Sequence, residues 1–205
     1  MKKKKAPING GFSDLCTFMK LTRDFYTRST LIVAPELLGK YLVHVTALGK
    51  ISGEINEVEA YLGSQDPASH AFRGPTLRSR IMFEEGGLSY IYFTYGKHFC
   101  MNVTTEKSGT AGGVLIRSVI PVEGREMMKK NRGVNISLEN LANGPGKICQ
   151  AFGLSKEENG ADLTQSETLY IEDRGRVIPV YETSPRIGIS QAKEAKWRFF
   201  YSPNV

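Results

Sequence analysis

Residues 40–62 read KYLVHVTALGKISGEINEVEAYL, and their pattern decides the fold. Lys40 to Leu48 is β-rich, Gly49-Lys50 marks a tight turn, and Ile51 to Leu62 makes a long partner strand. Within that strand Val58, Ala60 and Leu62 share one face, while Glu57, Glu59 and Tyr61 share the other. Two strands joined by so short a turn run antiparallel. Upstream, Thr22 to Tyr26 and Ser29 to Leu38 read as helical. Ser29 or Thr30 serves as N-cap, Gly39 stops the second helix, and Pro35 divides it or begins a new turn.

Downstream, Gly63 to Phe83 reads as an extended loop interrupted by Asp66-Pro67 and Gly74-Pro75. So long a loop inside a compact domain is uncommon and often functional. Leu88 to Thr94, Phe99 to Thr105 and Gly113 to Val119 are strand candidates, with Tyr95-Gly96-Lys97-His98 at the turn between the first two. Val122 to Asn131, after Pro121, and Gly144 to Phe152 read as helices. Thr168–Glu172, Val177–Val180, Arg186–Ile189 and Trp197–Tyr201 read as short strands. The pattern predicts an α+β fold: one compact domain over residues 12–205, with a mostly antiparallel sheet flanked by helices, behind a flexible basic tail at 1–11.

The chain of 205 residues carries 27 Lys+Arg against 21 Asp+Glu, a net charge of +6. Lys2 to Lys5 supply four of those charges, so net charge says little about the remainder. Distribution says more. Arg73, Arg78 and Arg80 lie in the long loop. Residues 117–147 and 186–198 each carry a surplus of +3, and residues 156–173 carry −5. A basic face with an acidic back is compatible with nucleic acid. No apolar run approaches a membrane span. Cys16, Cys100 and Cys149 are far apart and read as reduced thiols, and His44, His70 and His98 form no metal-ligand pattern. Neither a phosphate-loop nor a dinucleotide fingerprint occurs.

Several residues are out of character for their elements. A carboxylate on the polar face of residues 57–61, beside Tyr61, suits general-base work on water, provided a cation keeps it ionised. Arg117 ends an apolar strand and, if it faces inward, needs an anion such as Glu59. Asn102 interrupts a β-branched run and either satisfies backbone groups or reads a ligand edge. Tyr90 and Tyr92 share a strand face. Tyr95 falls at the hairpin tip, where a ring flanked by Gly96 and Lys97 suits insertion between bases or simply caps the core.

Together these segments resemble the alkyladenine (3-methyladenine) DNA glycosylase family. The matching blocks are LLGKYLVH (37–44), EVEAYLG (57–63), ASHAFRGPTLRSRIMF (68–83), LSYIYFTYGKHFCMNV (88–103), GGVLIRSVIPVEG (112–124), NGPGKICQAFG (143–153) and SPRIGIS (184–190). The resemblance implies a single α/β domain with a curved antiparallel sheet. Its implied activity is base-excision repair: a purine DNA N-glycosylase that flips alkylated or deaminated purines from duplex DNA and releases the base without strand cleavage. It assigns Glu59 as the base that activates water, Arg117 as its cationic partner, and the Ile187 carbonyl as a further water contact. Tyr61, His70 and Tyr92 would stack on the extruded purine, and Asn102 would guard the pocket floor against a guanine amino group. Tyr95 would fill the gap in the duplex, with Lys97, His98, Arg73, Arg78 and Arg80 as further DNA contacts. Lys97 stands where relatives often carry an apolar residue, and His98 where an aromatic one occurs. No metal or organic cofactor is implied, and the expectation is a cytoplasmic bacterial monomer that acts on double-stranded DNA. A noncatalytic binder of damaged nucleic acid and a hydrolase of free nucleosides are the competing readings. The second would not need an exposed tip aromatic.

Overall fold

The computed structural model describes residues 18–94, 96–133, 135–178 and 180–202. The tail expected at 1–11, Cys16 and Tyr95 lie outside the described residues. The chain runs β1 (Met19–Lys20), α1 (Arg23–Tyr26), α2 (Thr30–Glu36), β2 (Tyr41–Thr46), β3 (Gly49–Leu62), β4 (Ser89–Thr94), β5 (His98–Thr104) and β6 (Gly112–Glu123). It continues through α3 (Arg125–Arg132), α4 (Pro145–Phe152), β7 (Leu169–Asp173), β8 (Glu182–Ser184) and β9 (Arg198–Phe200). The strands form one antiparallel sheet in the order β1-β7-β2-β3-β6-β5-β4. The fold is α+β, as the order of helical and strand-like segments predicts.

β3 is the axis. β2 lies along its first half, β9 along its second half, and β6 along its other edge. Val58 and Ala60 enter the main core beside Ile116, Met101, Val33 and Phe152, and Leu62 packs against them. Helices α2 and α4 pack on this sheet, which buries its apolar face. The opposite face carries Glu54, Glu57, Glu59 and Tyr61. The β3–β6 ladder shifts register between Ile55 and Val58, leaving Asn56 on β3 and Arg117 on β6 without opposite partners. Such bulges bend a sheet and re-aim side chains.

Four local expectations are corrected. The β2–β3 turn is Ala47-Leu48, with Thr46 directly opposite Gly49, so Gly49-Lys50 already belongs to the strand. The Thr46 hydroxyl accepts from the Leu48 amide at 3.2 Å and donates to the Gly49 carbonyl at 3.0 Å, which closes the turn two residues early. Pro121 and Val122 continue β6, and the helix starts only at Arg125, because Gly124 adopts a left-handed conformation (φ 71°) and separates strand from helix. Val177, Ile178 and Val180 form no strand, since Pro179 brings no ladder donor to this stretch. Residues 186–189 also form none: the Ile187 amide bonds to a side chain, and the short strand falls at β8 instead. Ser29 occupies the N-cap of α2 without a side-chain cap bond. The Glu106 carboxylate accepts from the Thr30 amide at 2.6 Å in its place.

The long loop has internal order. Asp66 accepts from the Leu62 and Ala68 amides, each at 3.1 Å, and Arg80–Phe83 closes as a 3-10 turn. Cys100 and Cys149 are buried free thiols. Among the described residues no helix is long and apolar enough to cross a membrane. Gly53 marks the tightest point of the β3–β6 contact, where an added Cβ would lie 2.3 Å from Val119 and 2.8 Å from the Ile120 carbonyl oxygen. The backbone partner cannot yield locally. Gly53→Ala should therefore destabilise the protein by about 1–3 kcal/mol, measured as a lower urea midpoint with an unchanged slope.

Candidate active site

One register row crosses the sheet: Tyr90 opposite Asn102, Asn102 opposite Leu115, Leu115 opposite Glu59, and Glu59 opposite Arg198. Directly opposed residues in a pleated sheet project to the same face. The strands therefore bring together side chains up to 139 positions apart in sequence (Glu59 and Arg198). Above this row lies a cavity of about 340 Å³. Tyr61, His70, Tyr92, Asn102, Arg117 and Ile187 all line it, with Tyr90, Cys100, Leu115 and Pro145. Its size falls in the range of small-molecule sites.

Glu59 is fully buried. Its Oε1 accepts from the Ile187 amide at 2.7 Å, and its Oε2 accepts from the Tyr61 hydroxyl at 2.8 Å. Arg117 Nη1 stands 3.3 Å from the same Oε2, while Arg117 Nε donates to Glu57 Oε1 at 3.0 Å. Glu57 Oε1 also accepts from Arg198 Nε at 2.6 Å. Glu59 thus acts only as an acceptor, the behaviour of an ionised carboxylate. Tyr61, Arg117 and Ile187 all line the cavity, so the carboxylate lies one residue behind its wall. Burial, reinforced by the Glu59 carboxylate, pushes the Tyr61 phenol well above its usual range, so it keeps the proton it donates.

In the aromatic wall His70 meets Tyr92 edge to face, and Tyr90 is tilted against Tyr92. His70 and Tyr92 have ring centroids 4.7 Å apart at 74°, and Tyr90 lies 5.2 Å from Tyr92. His70 Nδ1 shares a 2.9 Å hydrogen bond with the Tyr90 hydroxyl. Burial, helped by the Arg78 charge, lowers the His70 pKa to about 4, so the ring is neutral at pH 7. The Tyr92 phenol is raised, mainly by burial. Asn102 donates from Nδ2 to the Tyr90 carbonyl at 3.2 Å, which satisfies one amide donor and fixes the side chain beside the cavity.

The expected DNA contacts divide. The Arg78 guanidinium sits 4.6 Å from the Tyr92 ring centroid, against the aromatic wall. Arg73, Arg80, Lys97 and His98 are exposed and do not line the cavity. Arg73, Arg78, Arg80 and Lys97 make no ion pair among the described residues, whereas Lys20, Lys40 and Arg174 are taken up by Glu167, Asp173 and Glu172 at 2.6, 2.6 and 2.7 Å. The acidic stretch therefore neutralises cations of its own domain and leaves those of the long loop free.

Sequence reasoning missed Glu57 and Arg198 as partners, the Ile187 amide as a donor to Glu59, and a buried Arg186–Asp66 pair. One signal was present. An arginine in the apolar run PRIGI requires an anion if it is buried.

Residues 24–205 match the family model described as Methylpurine-DNA glycosylase (MPG). A protein of Prosthecochloris aestuarii is 48% identical over 187 residues, covering 90% of this chain and 89% of its own. One of Methanocella arvoryzae is 44% identical, covering 88% and 91%, and one of Clostridium perfringens is 42% identical, covering 91% and 97%. All three carry the name "Putative 3-methyladenine DNA glycosylase". The chain belongs to the methylpurine-DNA glycosylase family and is a DNA-repair N-glycosylase.

The neutral state of His70 is open to measurement. Its imidazole protons should titrate in the folded protein with a midpoint near pH 4, by NMR. An unfolded histidine titrates near pH 6.5. Between those values the unfolded chain binds more protons at this position than the folded one. The His70 contribution to stability is therefore present above about pH 6.5 and is lost as pH falls towards 4. His70→Gln should flatten the fall in melting temperature across this window.

Proposed function

We propose that the protein extrudes damaged purines from duplex DNA into the cavity beside Tyr92 and hydrolyses the N-glycosidic bond with a water activated by Glu59. The observation that carries this reading is the convergence of the Ile187 amide, the Tyr61 hydroxyl and Arg117 on a buried carboxylate directly behind an aromatic-walled cavity. A stacked base shields its glycosidic carbon from in-line attack, so the nucleotide must leave the duplex. Tyr61, His70 and Tyr92 then receive the purine. Their electron-rich faces favour the cationic rings made by alkylation at N3 or N7. Tyr95 fills the space left behind, and Lys97, His98, Arg73, Arg78 and Arg80 contact the backbone.

In the chemical step the water oxygen bonds to C1′ of the sugar. The C1′–N bond breaks with its electron pair passing to the purine, and the water proton passes to Glu59. Oε2 is engaged by Tyr61 and Arg117 and Oε1 by the Ile187 amide alone, which supports Oε1 as the proton acceptor. The Ile187 carbonyl contributes to holding the water. An alkylated purine leaves as a neutral base and needs little acid assistance. His70, neutral at pH 7, is not an imidazolium acid for uncharged lesions. No lysine acts as a nucleophile, so the product is an abasic site in an intact strand.

Glu59→Gln should lower the single-turnover rate of 7-methylguanine release by at least about 10²-fold while retaining binding to lesion-bearing duplex. Rates within a few-fold of wild type would remove Glu59 from the role of base. Asn102→Ser should raise the release of undamaged guanine, scored as heat-labile abasic sites in unmodified duplex. Unchanged selectivity would take the pocket floor away from Asn102.

A further inference from the structure

Arg186 and Asp66 are the most completely buried ion pair described, with both side chains fully enclosed. Arg186 Nη1 and Nη2 meet the two Asp66 oxygens at 2.5 and 2.7 Å, a bidentate fork. Nη1 also donates to the carbonyl of Ala60, the residue after Glu59, at 2.9 Å. The guanidinium packs against two rings, 4.5 Å from the centroid of Tyr61 and 5.0 Å from that of Trp197. Asp66 in turn accepts from the Leu62 and Ala68 amides, each at 3.1 Å. One charge pair therefore joins the end of β3, the long loop and the segment around Ile187.

Ile187, Gly188, Ile189 and Ser190 line the cavity without belonging to a strand. The anchor next to the Ile187 amide is the Arg186 side chain, and that amide is the donor on Glu59 Oε1. A buried salt bridge adds little net stability over apolar replacements of similar volume. We infer that Arg186 and Asp66 are a positioning pair for the glycosylase reaction. They hold the Ile187 amide on Glu59 and the Tyr61 ring in the cavity wall, and they touch neither water nor base. The inference rests on Glu59 as the base.

Lysine in place of Arg186 keeps the charge but cannot make the fork, the Ala60 contact and the stacking together. If the Ile187 amide drifts from Glu59, the carboxylate loses a donor that favours its ionised form. The other groups facing Glu59 are Tyr61 and Glu57 on β3, Arg117 on β6, Arg198 on β9 and, further off, Tyr92 on β4. All of them remain in the variant. Arg186→Lys should lower the single-turnover rate on a 7-methylguanine duplex by about 10–100-fold, leave duplex affinity within about twofold, and move the acid limb of the pH–rate profile to higher pH. Asp66→Asn should do the same and serves if Arg186→Lys fails to fold. Ile148→Val in α4 supplies a purely structural control, with an unmoved acid limb. Wild-type rates in folded Arg186→Lys or Asp66→Asn overturn the positioning role. So does a loss that follows only the folded fraction with the acid limb unmoved. Activity in Glu59→Gln instead overturns the reading of the base, so the two failures are distinguishable.

Discussion

Three carboxylates on one face of β3, at Glu54, Glu57 and Glu59, impose the constraint on which the rest of the structure depends. A charge removed from water is tolerated only when paired and hydrogen-bonded. Glu54 receives the Tyr41 hydroxyl at 2.9 Å, Arg176 Nε at 2.8 Å and the Tyr201 hydroxyl. Glu57 receives Arg117 and Arg198, and Glu59 receives Tyr61, the Ile187 amide and Arg117. Arg176, Ile187, Arg198 and Tyr201 all come from the last thirty residues. The C-terminal segment, poor in regular structure, is thus laid across β3 by the need to neutralise that strand. The same contacts complete the cavity.

The two faces of the sheet divide the labour. The apolar face, with Val58, Ile116 and Met101 under α2 and α4, removes hydrocarbon from water and supplies the driving force for folding. The polar face contributes little net stability and much geometry. A carboxylate held by three donors is pre-set for one orientation, so no reorganisation is needed when charge develops.

How much of this was legible follows from the range of the interactions. The alternation Val58/Ala60/Leu62 against Glu57/Glu59/Tyr61 is local, and it gave the face of each residue correctly. Arg117 in an apolar strand needed an anion if it faced inward, and although it sits in mid-strand in β6 rather than at a strand end, Glu59 is one of the two it found. The family blocks brought Tyr61, His70, Tyr92 and Asn102 to one cavity. Other features were hidden for physical reasons. The helix after Pro121 starts late because a glycine turn intervenes, while local composition favours an earlier start. The expected strand at 186–189 fails because its amide and its arginine are both drawn to distant carboxylates. Asp66 and Arg186 are 120 positions apart, and nothing between them signals their contact. The −5 stretch looked like an acidic back in the chain, yet its carboxylates are largely occupied by Lys20, Arg23, Lys40 and Arg174.

The paired bulges at Asn56 and Arg117 also fix how this gene can change in length. Up to Ile55 the core-facing residues of β3 are odd-numbered, and from Val58 they are even-numbered. Side chains in a strand alternate with a period of two, so the extra residue on β3 is what keeps the glutamates on the polar side throughout. Loss of a single codon at Asn56 would turn Glu57, Glu59 and Tyr61 into the apolar core and Val58 and Ala60 out to the cavity. The middle of β3 cannot gain or lose one residue without a matching change in β6. Length variation among relatives should accordingly avoid the stretch between Glu54 and Leu62.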